Sequence, residues 1–174
     1  MFSFLICGWI AYSIYFSVKR GFKLETIMFA GYVISGIAAI FFARLFWRVF
    51  SLYVPYSSVI NEKPLYFYSK VNVFDVEESF YRIVTFMIFY FLFCLLMRFV
   101  EVFIKKLQFS ETPTNLKVVT GVLGFMTGTF SLYLIFSALA MVPLSGLQNT
   151  LTHSFLVNGL IKGPFGWIFN QLWL

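Results

Sequence analysis

Charged residues are scarce in this sequence. Asp, Glu, Lys and Arg make up 11% of the 174 residues, whereas about a quarter of the residues of a soluble globular domain are charged. Hydrophobic residues reach 60% and aromatic residues 22%. So little charge excludes an ordinary water-soluble domain, and we expect one membrane domain over residues 1–174.

Alternating apolar and polar segments are also missing. A membrane β-barrel would show segments of roughly ten residues with that alternation, but the apolar runs here are continuous and about twice as long. Since only helices and closed barrels satisfy every backbone polar group in lipid, the sequence predicts an all-α membrane protein.

Residues that carry chemistry are few. The chain has two cysteines, Cys7 and Cys94, and one histidine, His153. Both cysteines lie in long apolar runs, which favours buried thiols over a disulfide or a metal site. His153 has no acidic residue nearby in sequence, so we expect it to face solvent or the membrane interface. GxSxG, HExxH and Walker-type motifs are absent, and we predict no enzyme, metal or cofactor.

The formal net charge of +6 does not indicate a nucleic-acid partner. The cations cluster at the ends of apolar runs, as membrane anchors do, and form no basic stripe. The expected partner is the lipid bilayer, and self-association with further copies of the chain stays open.

Four apolar runs are long enough to cross a membrane, at about residues 1–18, 26–43, 80–103 and 118–142. The first is not expected to be a cleaved signal peptide, because no positive charge precedes it. The second should end before Arg44, since a charge at mid-membrane costs at least about 2.5 kcal/mol. Arg44 and Arg48, at i and i+4, are expected on an interfacial continuation of that helix.

The third run has charged residues at both ends. Asp75 and Glu78 fit a capping box that would open its helix. Arg82 and Arg98 flank the apolar centre and are expected to anchor the helix at the interfaces. Arg98 can also pair with Glu101 at i+3.

Small residues recur in the fourth run. Thr120, Gly124 and Gly128 form a small-xxx-small stripe, which predicts close packing of two helices. Thr114 or Asn115 would supply the N-cap, and Pro143 would end the helix.

The segment 144–174 is amphipathic. Leu144, Leu147, Leu151 and Phe155 are spaced by three and four residues, which predicts a helix lying in the membrane interface. Gly163 and Pro164 should break this helix, and a Trp-rich end follows.

The two short hairpins between runs carry most of the lysines. Lys19, Arg20 and Lys23 lie in the first, and Lys105, Lys106 and Lys117 in the second. By the positive-inside rule, these hairpins face the cytoplasm, and the N-terminus, the long loop and the tail lie outside the plasma membrane.

The stretch KRGFKLE, residues 19–25, can be explained as a turn between helices. Cations suit the last turn of a helix, Gly21 suits a left-handed terminating residue, and Glu25 suits the first turn of the next helix. A partner-binding role for Arg20, Gly21 and Glu25 stays open beside that explanation.

Three short motifs resemble the colicin V production protein family of small bacterial four-span membrane proteins. They are RGFKLE with Arg20, Gly21 and Glu25; FYRIVTF at residues 80–86, as in Gram-positive members; and LKVVTGVLGFMTG at residues 116–128, with Lys117 and the glycine ladder. Thr120 and Thr127 stand where the family has glycine and arginine, so no role of that arginine is carried over. The resemblance implies a plasma-membrane protein linked to colicin V production or export and to envelope maintenance.

Two functional classes fit these features. In the first, the chain is an accessory protein of a secretion or envelope system. In the second, copies form an oligomeric channel or transporter in which Arg44, Arg48 or Arg98 lines a pore, since ionisable residues within membrane helices are functional candidates. Every arginine lies near a span end and no acidic residue lies at mid-membrane, which disfavours transport of protons or cations relative to an accessory role or an anion-selective pore. Of the two classes we favour the accessory one.

Overall fold

The computed structural model describes residues 2–53, 67, 73–104, 113–142 and 144–173. These residues form helices and short connections, and they contain no strand. The all-α prediction is confirmed. The helices are α1 (Phe2–Arg20), α2 (Phe22–Ser51), α3 (Val73–Ile104), α4 (Thr114–Ala140), α5 (Ser145–Thr152), α6 (Phe155–Lys162) and α7 (Pro164–Trp173).

Four helices, α1 to α4, are long and apolar enough to cross a membrane, which confirms the predicted number. α1, α2 and α3 continue beyond the apolar runs that predicted them, whereas α4 begins four residues before its run and ends two residues before the end of it. At 1.5 Å per residue, the 30 residues of α2 extend about 45 Å, more than the hydrocarbon core of roughly 30 Å. Arg44 and Arg48 therefore lie on a helical continuation of the second run, as expected.

The four long helices pack as two pairs. α1 lies against α4 and α2 lies against α3, while α2 also contacts α4. In the described part of the chain, α1 and α3 have no close backbone contact. The core contains large, fully buried side chains such as Ile83, Phe86, Tyr133, Leu134 and Met141.

The C-terminal segment is bent into three short helices. α5 ends at Thr152 and α6 begins at Phe155, so the single amphipathic helix predicted from Leu144 to Phe155 is broken at His153. Leu151 is buried in the bundle core, whereas Leu144 and Phe155 are exposed. The predicted break at Gly163 and Pro164 is present between α6 and α7, and Phe165 and Phe169 of α7 pack on Phe130.

Two predicted helix starts are wrong. The N-cap of α4 is Pro113, with no side-chain cap, so Thr114 and Asn115 are already helical. α3 begins at Val73, which places Asp75 inside the first turn rather than at the N-cap. At the start of α4, Pro113 loses no helical hydrogen bond by lacking an N–H group, because the first backbone donors of a helix have no partner within the helix. The predicted helix end at Pro143 lies outside the described residues, as do Lys105 and Lys106.

The cysteines differ from their prediction. Cys7 is exposed and Cys94 is half-buried, and both are free thiols. Cys7 is exposed because α1 packs mainly on α4 through its other face, where Ser13 and Ser17 lie. His153 is exposed, as expected.

Candidate functional site

A single residue, Gly21, joins α1 to α2. Its backbone has φ 84° and ψ 156°, a region that only glycine adopts readily. The prediction of a positive φ is correct, although the residue is extended rather than left-handed helical. Lys19 and Arg20 lie in the last turn of α1, and Glu25 lies in the first turn of α2. This short joint brings Arg20 and Glu25 together.

Glu25 is buried, with 1% of its side chain exposed. Its carboxylate accepts a hydrogen bond of 2.8 Å from the Ser17 hydroxyl and one of 3.3 Å from Arg20 Nη1. The start of α2 adds a favourable positive helix end. A buried carboxylate is tolerated only with such partners, so Glu25 is held by both helices.

Arg20 also reaches α3. It donates from Nε to Glu101 Oε1 at 2.9 Å and from Nη2 to Glu101 Oε2 at 2.7 Å. The guanidinium lies 4.5 Å from the centre of the Phe16 ring. Such two-pronged pairs of arginine and carboxylate are the strong, geometrically specific ones. Arg20 is therefore a buried link between three helices, rather than the interfacial anchor that its place in the sequence suggests.

Arg98 completes the group of charges. It pairs with Glu101 Oε2 at 3.5 Å, the i+3 pair that the sequence predicts, and its guanidinium lies 5.3 Å from the centre of the Phe16 ring. Its side chain is 48% exposed. We call Arg20, Glu25, Arg98 and Glu101 the charged cluster, and the end of the bundle where they lie the charged end.

A cavity of about 310 Å³ extends from the charged cluster into the bundle between α1 and α3. We call it the polar cleft. Its open rim includes Tyr12 of α1 and Leu95 of α3, which are 57% and 54% exposed. Arg20, Glu25 and Arg98 of the charged cluster line it, and the other polar side chains of its lining are Tyr12, Ser13, Ser17, Tyr32, Tyr90, Cys94, Thr127 and Ser131. Polar groups inside a membrane-spanning bundle are costly, which makes the cleft the main candidate site.

The small-residue stripe of α4 forms the contact with α1. A Cβ atom added at Gly124 would lie 2.6 Å from Ser17 Cβ and 2.9 Å from the backbone oxygen of Ser13. At Gly128 it would lie 2.7 Å from Ser13 Oγ. Thr120 is fully buried and donates to the Leu116 carbonyl. The close packing of α1 on the stripe thus fixes the position of Ser17, whose hydroxyl donates to Glu25.

The other predicted charges lie elsewhere. Arg82 pairs with Glu78 on α3, and Arg82 and Arg48 lie 5.7 and 5.4 Å from the Trp47 ring centre. Arg44 is exposed on the same part of α2, and Lys117 is exposed at the start of α4, near the charged end. The structure therefore joins Arg20, Glu25, Arg98 and Glu101 in one cluster and separates them from Arg44, Arg48 and Arg82.

Sequence reasoning missed the contacts that cross between helices. Ser17 gave no signal, and the separation of 81 positions between Arg20 and Glu101 hides their pairing. The i+3 spacing of Arg98 and Glu101 was the one usable clue to Glu101. The described residues contain no group of three or more His, Cys, Asp or Glu side chains placed to share a metal ion.

Comparison with protein families gives one match. The sequence model described as colicin V production protein matches residues 2–164, nearly the whole chain and all of the charged cluster. Comparison with curated proteins and with solved structures gave no match.

Proposed function

The chain belongs to the colicin V production protein family, and from that premise we propose that it is an accessory protein of the bacterial plasma membrane. In this role it supports toxin production or export and maintenance of the cell envelope. The four membrane-spanning helices support the membrane part of the proposal.

The observation that carries the accessory role is the one-sided distribution of buried charge. Arg20 and Glu25 are the charged residues that are buried in the described part of the chain, and both lie at the charged end. The opposite half of the bundle is filled by apolar side chains such as Ile83, Phe86, Phe136 and Met141. A conduction path needs suitable groups along its whole length, so this arrangement favours a single chain that does not transport.

A partner would contact the charged end through its exposed residues. Arg20 and Glu25 are buried and mutually paired, so they are poorly placed to touch another protein. Lys19 and Lys23 flank them and are exposed. We propose that the buried pair of Arg20 and Glu25 fixes the conformation of the joint between α1 and α2. The two lysines then bind acidic groups of a partner.

Crosslinking in native membranes tests this proposal. A photoreactive residue replaces Thr26, which is exposed one turn after Lys23 on α2, so that both lysines are kept, and a matched control replaces Phe4, an exposed apolar residue of α1. We expect position 26, and not position 4, to capture components of a secretion or envelope system whose removal also lowers toxin export. Equal capture from both positions contradicts the accessory role.

An oligomeric channel or transporter subunit is the second candidate, because the polar cleft opens sideways between α1 and α3. Two copies that faced each other across this opening would enclose their polar linings. The mass of the complex in detergent and ion flux through liposomes decide between the two. A ring-like oligomer that conducts ions favours the channel, and a monomer without flux favours the accessory protein.

A further inference from the structure

We propose that the polar cleft binds the headgroup of an anionic phospholipid and that Arg98 binds its phosphate. This role is separate from the accessory function, since it concerns what occupies the cleft in any bilayer. The two arginines of the charged cluster are unequally paired within the protein.

Arg98 is poorly satisfied within the protein. A guanidinium carries five N–H donors, but the hydrogen bond that Arg98 makes to Glu101 Oε2 is 3.5 Å long. The same oxygen already accepts a bond of 2.7 Å from Arg20. Arg98 therefore keeps more donors for another acceptor than Arg20, which makes three hydrogen bonds to Glu25 and Glu101.

The free donors point to an oxyanion, and the surrounding charge favours it. A guanidinium binds a phosphate through two parallel hydrogen bonds. The charged cluster is neutral in itself, with two arginines and two glutamates, but Lys19, Lys23 and Lys117 are exposed at the same end. These lysines make the charged end positive, so an added phosphate is attracted rather than repelled.

The shape of the cleft selects a ligand that arrives through the bilayer. α1 and α3 do not meet through their backbones in the described residues, and the rim at Tyr12 and Leu95 is exposed. Arg98 lies six residues before the end of α3 at Ile104, or about 9 Å along the helix. That depth suits the boundary between headgroups and acyl chains.

A second cavity adjoins the cleft and is apolar. It measures about 270 Å³, shares Tyr32, Tyr90 and Thr127 with the cleft, and is otherwise lined by side chains such as Phe29, Val33 and Ile37. A ligand with a charged headgroup and a long apolar chain matches the polar cleft together with the adjoining apolar cavity better than a free anion does. The positive-inside rule also predicts that the charged end faces the cytoplasmic leaflet, where anionic lipids concentrate and bind basic pockets between helices.

The test measures lipid binding to the purified full chain in detergent by native mass spectrometry. The probes are phosphatidylglycerol, phosphatidylcholine with the same acyl chains, and inorganic phosphate. The variants are Arg98→Gln and, as a matched control, Arg48→Gln, which removes an exposed arginine that also lies over an aromatic ring but at the opposite end. We expect one bound phosphatidylglycerol, about tenfold weaker binding in Arg98→Gln, and binding within twofold of wild type in Arg48→Gln.

Equal binding of phosphatidylcholine, or unchanged binding in Arg98→Gln, overturns the proposal. Displacement of the lipid by millimolar inorganic phosphate overturns the lipid as ligand and leaves a plain anion site. Should Arg98→Gln fail to fold, Arg98→Lys decides: it keeps the charge but loses the planar fork, so phosphatidylglycerol must bind at least threefold more weakly than to wild type. A second copy of the chain in place of the lipid would be seen directly as a dimer mass, which also contradicts the proposal.

Discussion

Arg20 of α1 holds Glu101 of α3 through two hydrogen bonds, of 2.9 and 2.7 Å. The two helices have no close backbone contact in the described part of the chain, so this ion pair spans the gap that forms the polar cleft. The same guanidinium also holds Glu25 of α2. One buried side chain thereby fixes the relative positions of three membrane helices at the charged end.

Replacement of Glu101 should destabilise the bundle. The variant Glu101→Gln leaves Arg20 buried with one acidic partner instead of two, and breaking a buried pair typically costs about 3 kcal/mol. For a chain of this size, we expect the melting temperature in detergent to fall by roughly 6–12 °C.

Glu78→Gln is the matched control for Glu101→Gln. It removes an acidic partner of an arginine on the same helix, but that pair is 37% and 39% exposed, and exposed pairs contribute little. Its melting temperature should stay within about 2 °C of wild type. Equal losses in the two variants would mean that the burial of the Arg20 and Glu101 pair does not matter for stability.

Gly21→Ala should strain the joint between α1 and α2. A side chain at φ 84° and ψ 156° costs about 1–3 kcal/mol, which thermal melting detects. Gly8→Ala is the control, because an added Cβ at Gly8 meets nothing within 4 Å and alanine suits a helix interior better than glycine. We expect a loss of stability in the first variant and none in the second; stability retained in Gly21→Ala would refute the strained joint.

Two glycines of α4, one in close contact with α1 and one not, test whether the close packing of the stripe stabilises the bundle. At Gly124, an added Cβ would lie within 3 Å of both Ser17 Cβ and the Ser13 backbone oxygen, so Gly124→Ala must push α1 away from α4, at a cost of about 1–3 kcal/mol. At Gly121, the nearest atoms, on Ile14 and Val18, are 3.6 and 3.7 Å away, which is ordinary contact. Gly121→Ala should therefore keep the wild-type melting temperature, and an equal loss in both variants would count against the contact.

The size of the oligomer gives a second readout for these two variants. The contacts of Gly124 and Gly128 with Ser13 and Ser17 lie within one chain. The stripe therefore acts through intramolecular packing, and Gly124→Ala should change stability without changing the mass of the complex in detergent. A smaller complex at unchanged stability would place the stripe between copies instead.

The helices could be predicted because each rests on local sequence. Apolar runs longer than 17 residues specify membrane helices, and the cations and glycine of residues 19–21 specify where α1 ends. Helix ends were harder: Pro113 precedes α4 without a side-chain cap, although Thr114 and Asn115 are residue types that serve well as N-caps.

The candidate site was only partly predictable, because its contacts depend on packing. Arg20, Glu25, Arg98 and Glu101 were each identifiable, and the pair at i+3 followed from helix geometry. The pairing of Arg20 with Glu101 requires the arrangement of α1 against α3, which no periodicity encodes. Thus Arg20 resembled an exposed anchor in the sequence, and its burial became evident only in three dimensions.

Glu25→Gln and Lys23→Gln should differ in their effect on stability, although the two residues are only two positions apart in the sequence. Glu25 is buried and bound to Ser17 and Arg20, so its neutralisation removes a charge-assisted bond worth about 1–3 kcal/mol and lowers the melting temperature. Lys23 is exposed, and such substitutions usually change stability by less than about 0.5 kcal/mol.

Measurements of partner binding and toxin export in these two variants distinguish a residue that stabilises the fold from one that contacts a partner. Both should insert into the membrane, which protease accessibility of intact and opened cells measures. We expect Lys23→Gln to lose crosslinks to the partner at wild-type stability, because its charge is presented at the surface. Glu25→Gln should lose toxin export only in proportion to its loss of folded protein. If Glu25→Gln were as stable as wild type and yet inactive, the buried carboxylate would have a direct part in function, and the structural role assigned to it here would be wrong.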